Sequence, residues 1–584
     1  MSIRTEYDVI ILGSGMGGGL LGSILARHGI SVLLIDAGTH PRFAVGEATT
    51  PDTSFRLKIL AAKYDVPEIA NLSTFHKLRD HVSPACGVKR SFSFLYQREG
   101  EEQNPKESHQ YPTLAPPMGP DCHFFRQDTD AYLLAVAVDY GAETCQETRV
   151  ADVEIADDYV SVTTDKKQTY RAKYLVDAAG FRSPVADKMG LRGNPEEFFK
   201  TNSRSMFTHM VGVKHYDQVG ADPKEYELKY PLSQATLHHV IDGGWFWVIP
   251  FNNHADAVNP LCSVGLTLDR NKYPETGMPA QEEFDMFVNR YPSIKRQFEG
   301  ARTVRNWVST RRLQYCSKET VGNRYALLAH AAGFIDPLFS SGLNVTASNT
   351  DALAKHLIRA FNETNDFSRE AFKLVEERFQ HNLKYFDRVV GTAFASWVNF
   401  DLWDAWFRVW VVGLLVATEL NASLYLRYLQ TGDRKVLDDS LSLPYGVVLG
   451  SAVKEHSVVY DSMYAEFERW ERGEIDAGTA AANIRKGFKG LTYVPTYWRW
   501  EDATVRTTPA FTVWGMTKMY FWYYLFAPKE VYRQLYGWSP VTAYKYILRS
   551  IWDNNQSSRR RKRSYIRDVF RAWNLEWRPN KSTH

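Results

Sequence analysis

Three glycines, Gly13, Gly15 and Gly18, stand in the spacing G-x-G-x-x-G, directly after the apolar run YDVIIL and before LLGSILARHG. Glycine at these places permits a tight turn and a close approach to the positive end of the following helix, which is how a pyrophosphate is held. Asp36 ends the next apolar run, SVLLID, at the distance where a carboxylate accepts ribose hydroxyls. A bare glycine motif is weak evidence; in this strand–turn–helix–strand setting it specifies a dinucleotide. A second constellation is aromatic. In GGWFWVIPF, 243–251, Trp245 and Trp247 share one face if the segment is a strand, ahead of Ile249 and Pro250. Alone, such a pair is an aromatic core strand closed by a proline. A third is AAGFIDPLFSSG, 331–342, a glycine turn at Gly333 leading into a helical pattern, and Arg126 opens another helix-like stretch, RQDTDAYL.

Elements must hold these groups. Residues 124–145 read as helical, 146–176 as alternating strands, and 200–300 as a sheet with long connections. Residues 76–120 are irregular and Pro-rich near their end, an excursion from the first domain. The pattern is helical over 345–430 and mixed, rich in Trp and Tyr, over 431–584. The expected fold class is α/β (mixed α+β): a Rossmann-like domain, an inserted β-sheet domain and a helical C-terminal region. The expected division is 1–75, 121–200 and 300–350 for the dinucleotide domain, 76–120 and 201–299 for the insertions, and 351–584 for the helical part with its basic tail.

With 44% apolar and 23% charged residues the chain is globular, and 16 tryptophans suggest an aromatic ligand. The net charge of +3 is unevenly placed. Residues 541–584 hold eleven Lys/Arg against three Asp/Glu, including RRRKR at 559–563. Such charge draws an acidic protein, a membrane surface or nucleic acid alike, and alone is a solvated helix start; no nucleic-acid partner is expected. Cysteines 86, 122, 145, 262 and 316 show no metal-ligand spacing, which fits reduced thiols, a cytoplasmic location and no metal. The longest strongly apolar run, VWVVGLLVAT at 409–418, is too short to span a bilayer, so no transmembrane segment is expected.

Over residues 1 to about 350 the chain resembles the flavin-dependent halogenases, relatives of the FAD-dependent monooxygenases. W-x-W-x-I-P is met by Trp245, Trp247, Ile249 and Pro250, and F-x-x-P-x-x-S-x-G by Phe334, Pro337, Ser340 and Gly342. HPRFAVGEATTP, 40–51, is similar to the family's strap over the flavin ring. The resemblance implies the class A flavoprotein monooxygenase fold, with FAD held by Gly13, Gly15, Gly18, Asp36, Arg42, Glu47, Ala48, Thr49, Arg126 and Gly333. It implies that reduced FAD and O₂ oxidise chloride or bromide to hypohalous acid. The backbone N–H groups of Ser341 and Gly342, at a helix start, suit the halide. The family's catalytic lysine falls on Lys89 in GVKRSFSFLY, with Lys77 the competitor, and alternation puts Ser91 and Ser93 on the Lys89 side. The two indoles then wall the passage between flavin and substrate. No second G-x-G-x-x-G follows, so FADH₂ is expected from a separate flavin reductase.

Two departures qualify the resemblance. Ala329-His330 stands where Gly-Asp is usual, which removes a carboxylate from the cofactor. Phe339 stands where halogenases of free tryptophan carry glutamate, which implies a ring already activated, phenolic or pyrrolic, or else an acidified C–H, free or tethered to a carrier protein. Two alternatives stay open: a hydroxylase or epoxidase on the same fold, and a non-catalytic flavoprotein scaffold. The aromatic stretches at 397–412 and 513–526 are expected to close the core and cover the cavity's mouth, or to admit a carrier-borne substrate guided by the basic tail.

Overall fold

Near-continuous apolar runs suit parallel strands covered on both faces, and Glu6–Leu12 and Val32–Ile35 are such runs. In the computed structural model, which describes residues 4–438, 449–507 and 512–560, the two pair in parallel. Thr169–Asp177 joins the other side of Glu6–Leu12, and Tyr325–Leu327 and Glu143–Cys145 extend the parallel ladder. Helix Met16–Arg27 connects the first two strands and lies against helices Arg126–Asp139 and Gly342–Arg359.

A second sheet runs in the order Arg302–Thr303, Ser203–Val211, Cys262–Asp269, Gly244–Pro250, Ala235–Ile241, Ser91–Tyr96, Ser108–Pro112. Its pairings are antiparallel except one: Ser91–Tyr96 lies parallel to Ala235–Ile241. The excursion read as irregular therefore supplies two strands, and the sheet draws an edge from residues beyond the boundary expected at 299.

Helices form the third layer. Phe400–Thr431 begins where the Asn399 side chain accepts from the Leu402 N–H and ends at Gly432 in the left-handed region. It buries Trp403, Trp406 and Trp410 almost completely, so this stretch closes the core. The apolar run 409–418 lies inside it. Among the described residues this helix alone is long and apolar enough to cross a membrane, yet most of its apolar stretch is buried within the fold. All five cysteines are buried and unbridged. Of the basic run 559–563, Arg559 and Arg560 end helix Pro540–Arg560, and Arg561, Lys562 and Arg563 lie outside the described residues.

Candidate active site

Gly13 leaves its strand at φ +89°, and a Cβ there would stand 2.6 Å from the Ala178 carbonyl oxygen; one on Gly18 would stand 2.0 Å from the Gly13 carbonyl oxygen. The turn needs both glycines for its own packing. At Gly15 a Cβ would meet nothing nearer than the Asp130 carboxylate at 3.7 Å and the Arg42 guanidinium at 3.8 Å. The helix start is thus left open to an anion, with no acid in its first turn. Asp36 accepts from the Ser14 amide and hydroxyl (both 2.7 Å), the Gly38 amide (2.9 Å) and Arg42 (2.8 Å). Burial pushes its carboxyl up, but Arg42 and these N–H groups outweigh it and hold it below the usual range. Arg42 Nε and His40 Nδ1 are buried without a partner among the described residues. Open backbone N–H groups and spare donors of this kind fit the phosphates and ribose of FAD.

Arg126 makes a bidentate pair with Asp130 (2.8 Å each) and donates to the Val45 carbonyl (2.7 Å) and the Gly46 carbonyl (3.1 Å). It fastens the strap to the first domain. Further along the strap, buried Glu47 lies 2.8 Å from His209 Nε2, on strand Ser203–Val211 of the second sheet. Ala48 bridges to His123, and the Thr49 amide and hydroxyl donate to the Cys122 carbonyl at 3.1 and 3.0 Å. The Thr49 carbonyl accepts from Lys89 Nζ at 2.7 Å.

Lys89 is fully buried. It ends strand Gly87–Lys89, which pairs with Asp121–His123, and its Nζ lies 3.4 Å from Ser340 Oγ and 3.4 Å from the centroid of the Phe92 ring. Burial holds its pKa well below the ordinary lysine value, with Asp121, Cys122 and Asp52 pulling the other way. Asp121 stands opposite Lys89 in the ladder and is pushed up to about 7 by burial against the pull of Lys89. Lys77, by contrast, has Lys58, Asp553 and Arg549 as charged neighbours, and burial brings its pKa to about 8. One expectation needs correction: alternation does not run from Lys89 to Ser91. Between them Arg90 donates to the Gln234 carbonyl and accepts from the Thr113 N–H, and the chain passes from one sheet to another.

At the turn before Gly342–Arg359, Phe339 and Ser340 take φ of +70° and +55°, rare for residues with a side chain. Ser341 caps the helix and Gly342 begins it, so their N–H groups lie at its positive end. A Cβ on Gly342 would come 3.5 Å from His330 Nε2. Burial and the charge of Arg126 draw the His330 pKa down to about 4, so the group replacing the expected carboxylate is neutral at pH 7. Phe339 stacks on Trp410, ring centroids 4.4 Å apart.

Trp245 and Trp247 do share a face, with centroids 5.5 Å apart. Trp245 lies against His238, and Trp247 against Phe207, donating to Ser263 Oγ at 3.3 Å. Buried Ile249 follows on the same face, and the Pro250 carbonyl accepts from His123 Nδ1 at 3.1 Å. Beside Trp245, buried Asp336 accepts from Ser203 Oγ (2.9 Å) and the Leu338 N–H (3.0 Å), and burial pushes it up to about 7. Gly333 and Phe334 sit to one side, paired with Tyr315–Cys316, Phe334 edge-on to His330.

Over the Lys89 side lies an aromatic wall: Phe94 stacks on His238 at 4.1 Å and meets Phe407 and Trp403, while Phe92 meets Trp410. A cavity of about 470 Å³ lies between Phe400–Thr431 and the later helices, with Phe55, Leu114 and Met118 on one side. Leu114 follows Thr113, whose hydroxyl donates to the Lys89 carbonyl at 3.0 Å. The cavity's carboxyl, Glu419, accepts from Tyr523 (2.9 Å) and Tyr536 (2.8 Å), and burial pushes it up to about 8.

The fold thus brings Glu47, Ala48, Thr49, Lys89, Ser340, Ser341 and Gly342 to one region and Gly13, Gly15, Asp36 and Arg42 to another. Sequence reasoning missed Asp130, His209, Asp121 and Asp336. Asp130 is readable as the i+4 partner of Arg126, and Asp336 lies within the turn motif. His209 and Asp121 carry no sequence signal, because their roles depend on strand register.

The FAD binding domain family matches residues 6–369. The tetracycline 7-halogenase of Kitasatospora aureofaciens is 45% identical over 74% of this chain and 78% of its own. The monodechloroaminopyrrolnitrin halogenase PrnC of Pseudomonas fluorescens is 39% identical over 92% and 95%. Among solved structures, halogenase PltM in complex with phloroglucinol and FAD superposes with a TM-score of 0.82, at 33% identity, over 86% of this chain and 99% of that one.

Proposed function

Since the chain belongs to the flavin-dependent halogenases, FAD-dependent oxidoreductases of natural-product biosynthesis, we propose that its reaction is carried through Lys89 onto a phenolic ring. Bound reduced FAD supplies, with O₂, the oxidising power that turns halide into hypohalous acid. The open helix start at Gly15, with Arg42 and Asp36, holds the dinucleotide, and the strap at Glu47, Ala48 and Thr49 covers its ring. The N–H groups of Ser341 and Gly342 receive chloride, since a helix N-terminus favours an anion. The Lys89 ammonium donates to the oxygen of hypohalous acid and makes its halogen more electrophilic. A carbon–halogen bond then forms as the oxygen–halogen bond breaks, the ring gives up a proton, and water leaves. Trp245 and Trp247 keep the organic substrate from the flavin side.

One observation supports this reading above the others: a fully buried lysine reaches the strap carbonyl at 2.7 Å and the Ser340 hydroxyl at 3.4 Å. A free phenolic substrate is favoured by the phloroglucinol complex of PltM and by Phe339, which supplies no charge for a less reactive ring. We divide the chain into FAD-binding, inserted substrate and C-terminal parts, with the strands at 302–303 and 308–310 joined to the inserted part, and place the enzyme in the cytoplasm beside a separate flavin reductase. The test is mass spectrometry of a phenol panel, free and carrier-bound, with reduced FAD, O₂ and chloride or bromide. Halogenated free phenol from the wild type and on the order of 10²–10³-fold less from Lys89→Ala is the expected result. Oxygenated product formed without halide overturns the reading, and turnover confined to the carrier-bound panel overturns the free substrate.

A further inference from the structure

Two helices late in the described chain turn apolar stripes to solvent. On Val513–Phe526, Trp514, Phe521 and Leu525 recur at helical spacing with Lys518 between them, flanked by Tyr524 and Phe526; Trp514 is 76% exposed and Phe526 69%. On Pro540–Arg560, Val541, Tyr544, Leu548 and Trp552 recur in the same way, Leu548 66% exposed. The stripes are neighbours, for Thr517 Oγ1 and Tyr544 Oη lie 3.1 Å apart. The same chain buries Trp397, Trp403, Trp406 and Trp410 almost completely, so this contiguous face is not the scatter of apolar residues any surface shows. Exposed cations border it at Lys518, Lys545 and Arg549, and residues 541–584 hold eleven basic against three acidic residues. The cavity opens here: Phe521, Tyr524 and Tyr544 belong both to the exposed stripes and to its lining.

We propose that this face docks on an anionic lipid surface, which sets the mouth of the cavity against the acyl region and lets an apolar aromatic ligand enter from the membrane. This goes beyond the halogenation reading. Trp and Tyr, with apolar bodies and polar tips, suit the depth of lipid headgroups, and amphipathic helices with basic flanks lie flat in that layer. Anionic headgroups answer Lys518, Lys545 and Arg549. A second copy of the chain would bring the same cations face to face across a two-fold interface, so the charge argues against self-association here.

The test sediments full-length, FAD-loaded protein with phosphatidylcholine vesicles, with or without phosphatidylserine. Wild-type protein is expected to pellet with the anionic vesicles on the order of ten-fold more than with the neutral ones. The double variant Leu548→Glu/Trp552→Glu, at exposed positions outside the cavity, is expected to lose this binding while keeping its flavin spectrum and its rate on a water-soluble phenol. Lys545→Gln/Arg549→Gln is expected to weaken it in a salt-dependent way. Three results overturn the proposal: no vesicle binding by wild type, equal binding to neutral vesicles, or unchanged binding by the Leu548/Trp552 variant. A dimer that this variant dissolves, without vesicle binding, gives the face to a second copy and overturns it too. Sedimentation does not read halogenation, so its failure is distinct from failure of the proposed reaction.

Discussion

An ammonium buried against an aromatic ring keeps its charge only where oxygen atoms hold it, and Lys89 has the Thr49 carbonyl at 2.7 Å for that purpose. Its removal should spare flavin binding, which rests on other residues. Lys89→Ala is therefore expected to lower product formation on the order of 10²–10³-fold, the cost of deleting one positioned donor, with the flavin absorbance of the loaded protein retained. Lys77→Ala should keep near-wild-type turnover; the reverse pattern in a single-turnover assay would sink the assignment. The sign of the pH dependence follows from the same burial. Its pKa lies below the ordinary lysine value, so a reaction that needs the ammonium fades as pH rises through that lowered value. A rate that climbs with pH in that window instead points to the free amine. At Phe339 the ring stacked on Trp410 offers no charge to a developing cation. Free tryptophan is accordingly expected to react on the order of 10²-fold or more slowly than a phenol of similar size, measured as competing turnover.

The elements differ in how plainly they announce themselves. The parallel core was legible because strands buried on both faces are near-continuously apolar, and residues 9–12 of the first strand show that without any partner in view. The strand Ser91–Tyr96 was not, because its place in the second sheet is set by Ala235–Ile241, far along the chain. The Trp245–Trp247 face was readable from alternation alone; the His209–Glu47 contact needs two strands in register. Helix Phe400–Thr431 was legible within the helical pattern at 345–430, but Asp404 and Glu419 find their buried partners only in the fold. Glu419 yields a prediction. Its pKa is about 8 in the folded protein against an ordinary value of 4.5, so between those values the folded state keeps a proton that the unfolded chain releases. Stability therefore falls as pH rises across that window, by up to about 1.4 kcal/mol per unit. Glu419→Gln removes this slope. Its melting temperature should exceed that of wild type near pH 8 and lose the advantage toward pH 5, and parallel melting curves at the two pH values would refute it.

At the scale of the whole molecule, the chain carries one dinucleotide turn, at Gly13, Gly15 and Gly18, and no further G-x-G-x-x-G beyond residue 22. NAD(P)H alone is expected to support little turnover, and an added flavin reductase to restore it. Rapid NADPH oxidation by the purified protein would count against that arrangement. The parallel pairing of Ser91–Tyr96 with Ala235–Ile241 also bears on how the protein is made. It closes a loop of about 140 residues, the kind of long-range contact whose entropy cost slows folding. Emerging from the ribosome, Gly87–Lys89 has Asp121–His123 close at hand, whereas Ser340, which Lys89 Nζ reaches at 3.4 Å, is synthesised much later. A nascent chain halted before residue 235 can thus give Lys89 its strand partner but neither the strand Ala235–Ile241 nor the Ser340 turn, which makes the proposed site of halogen transfer a late-completed part of the molecule.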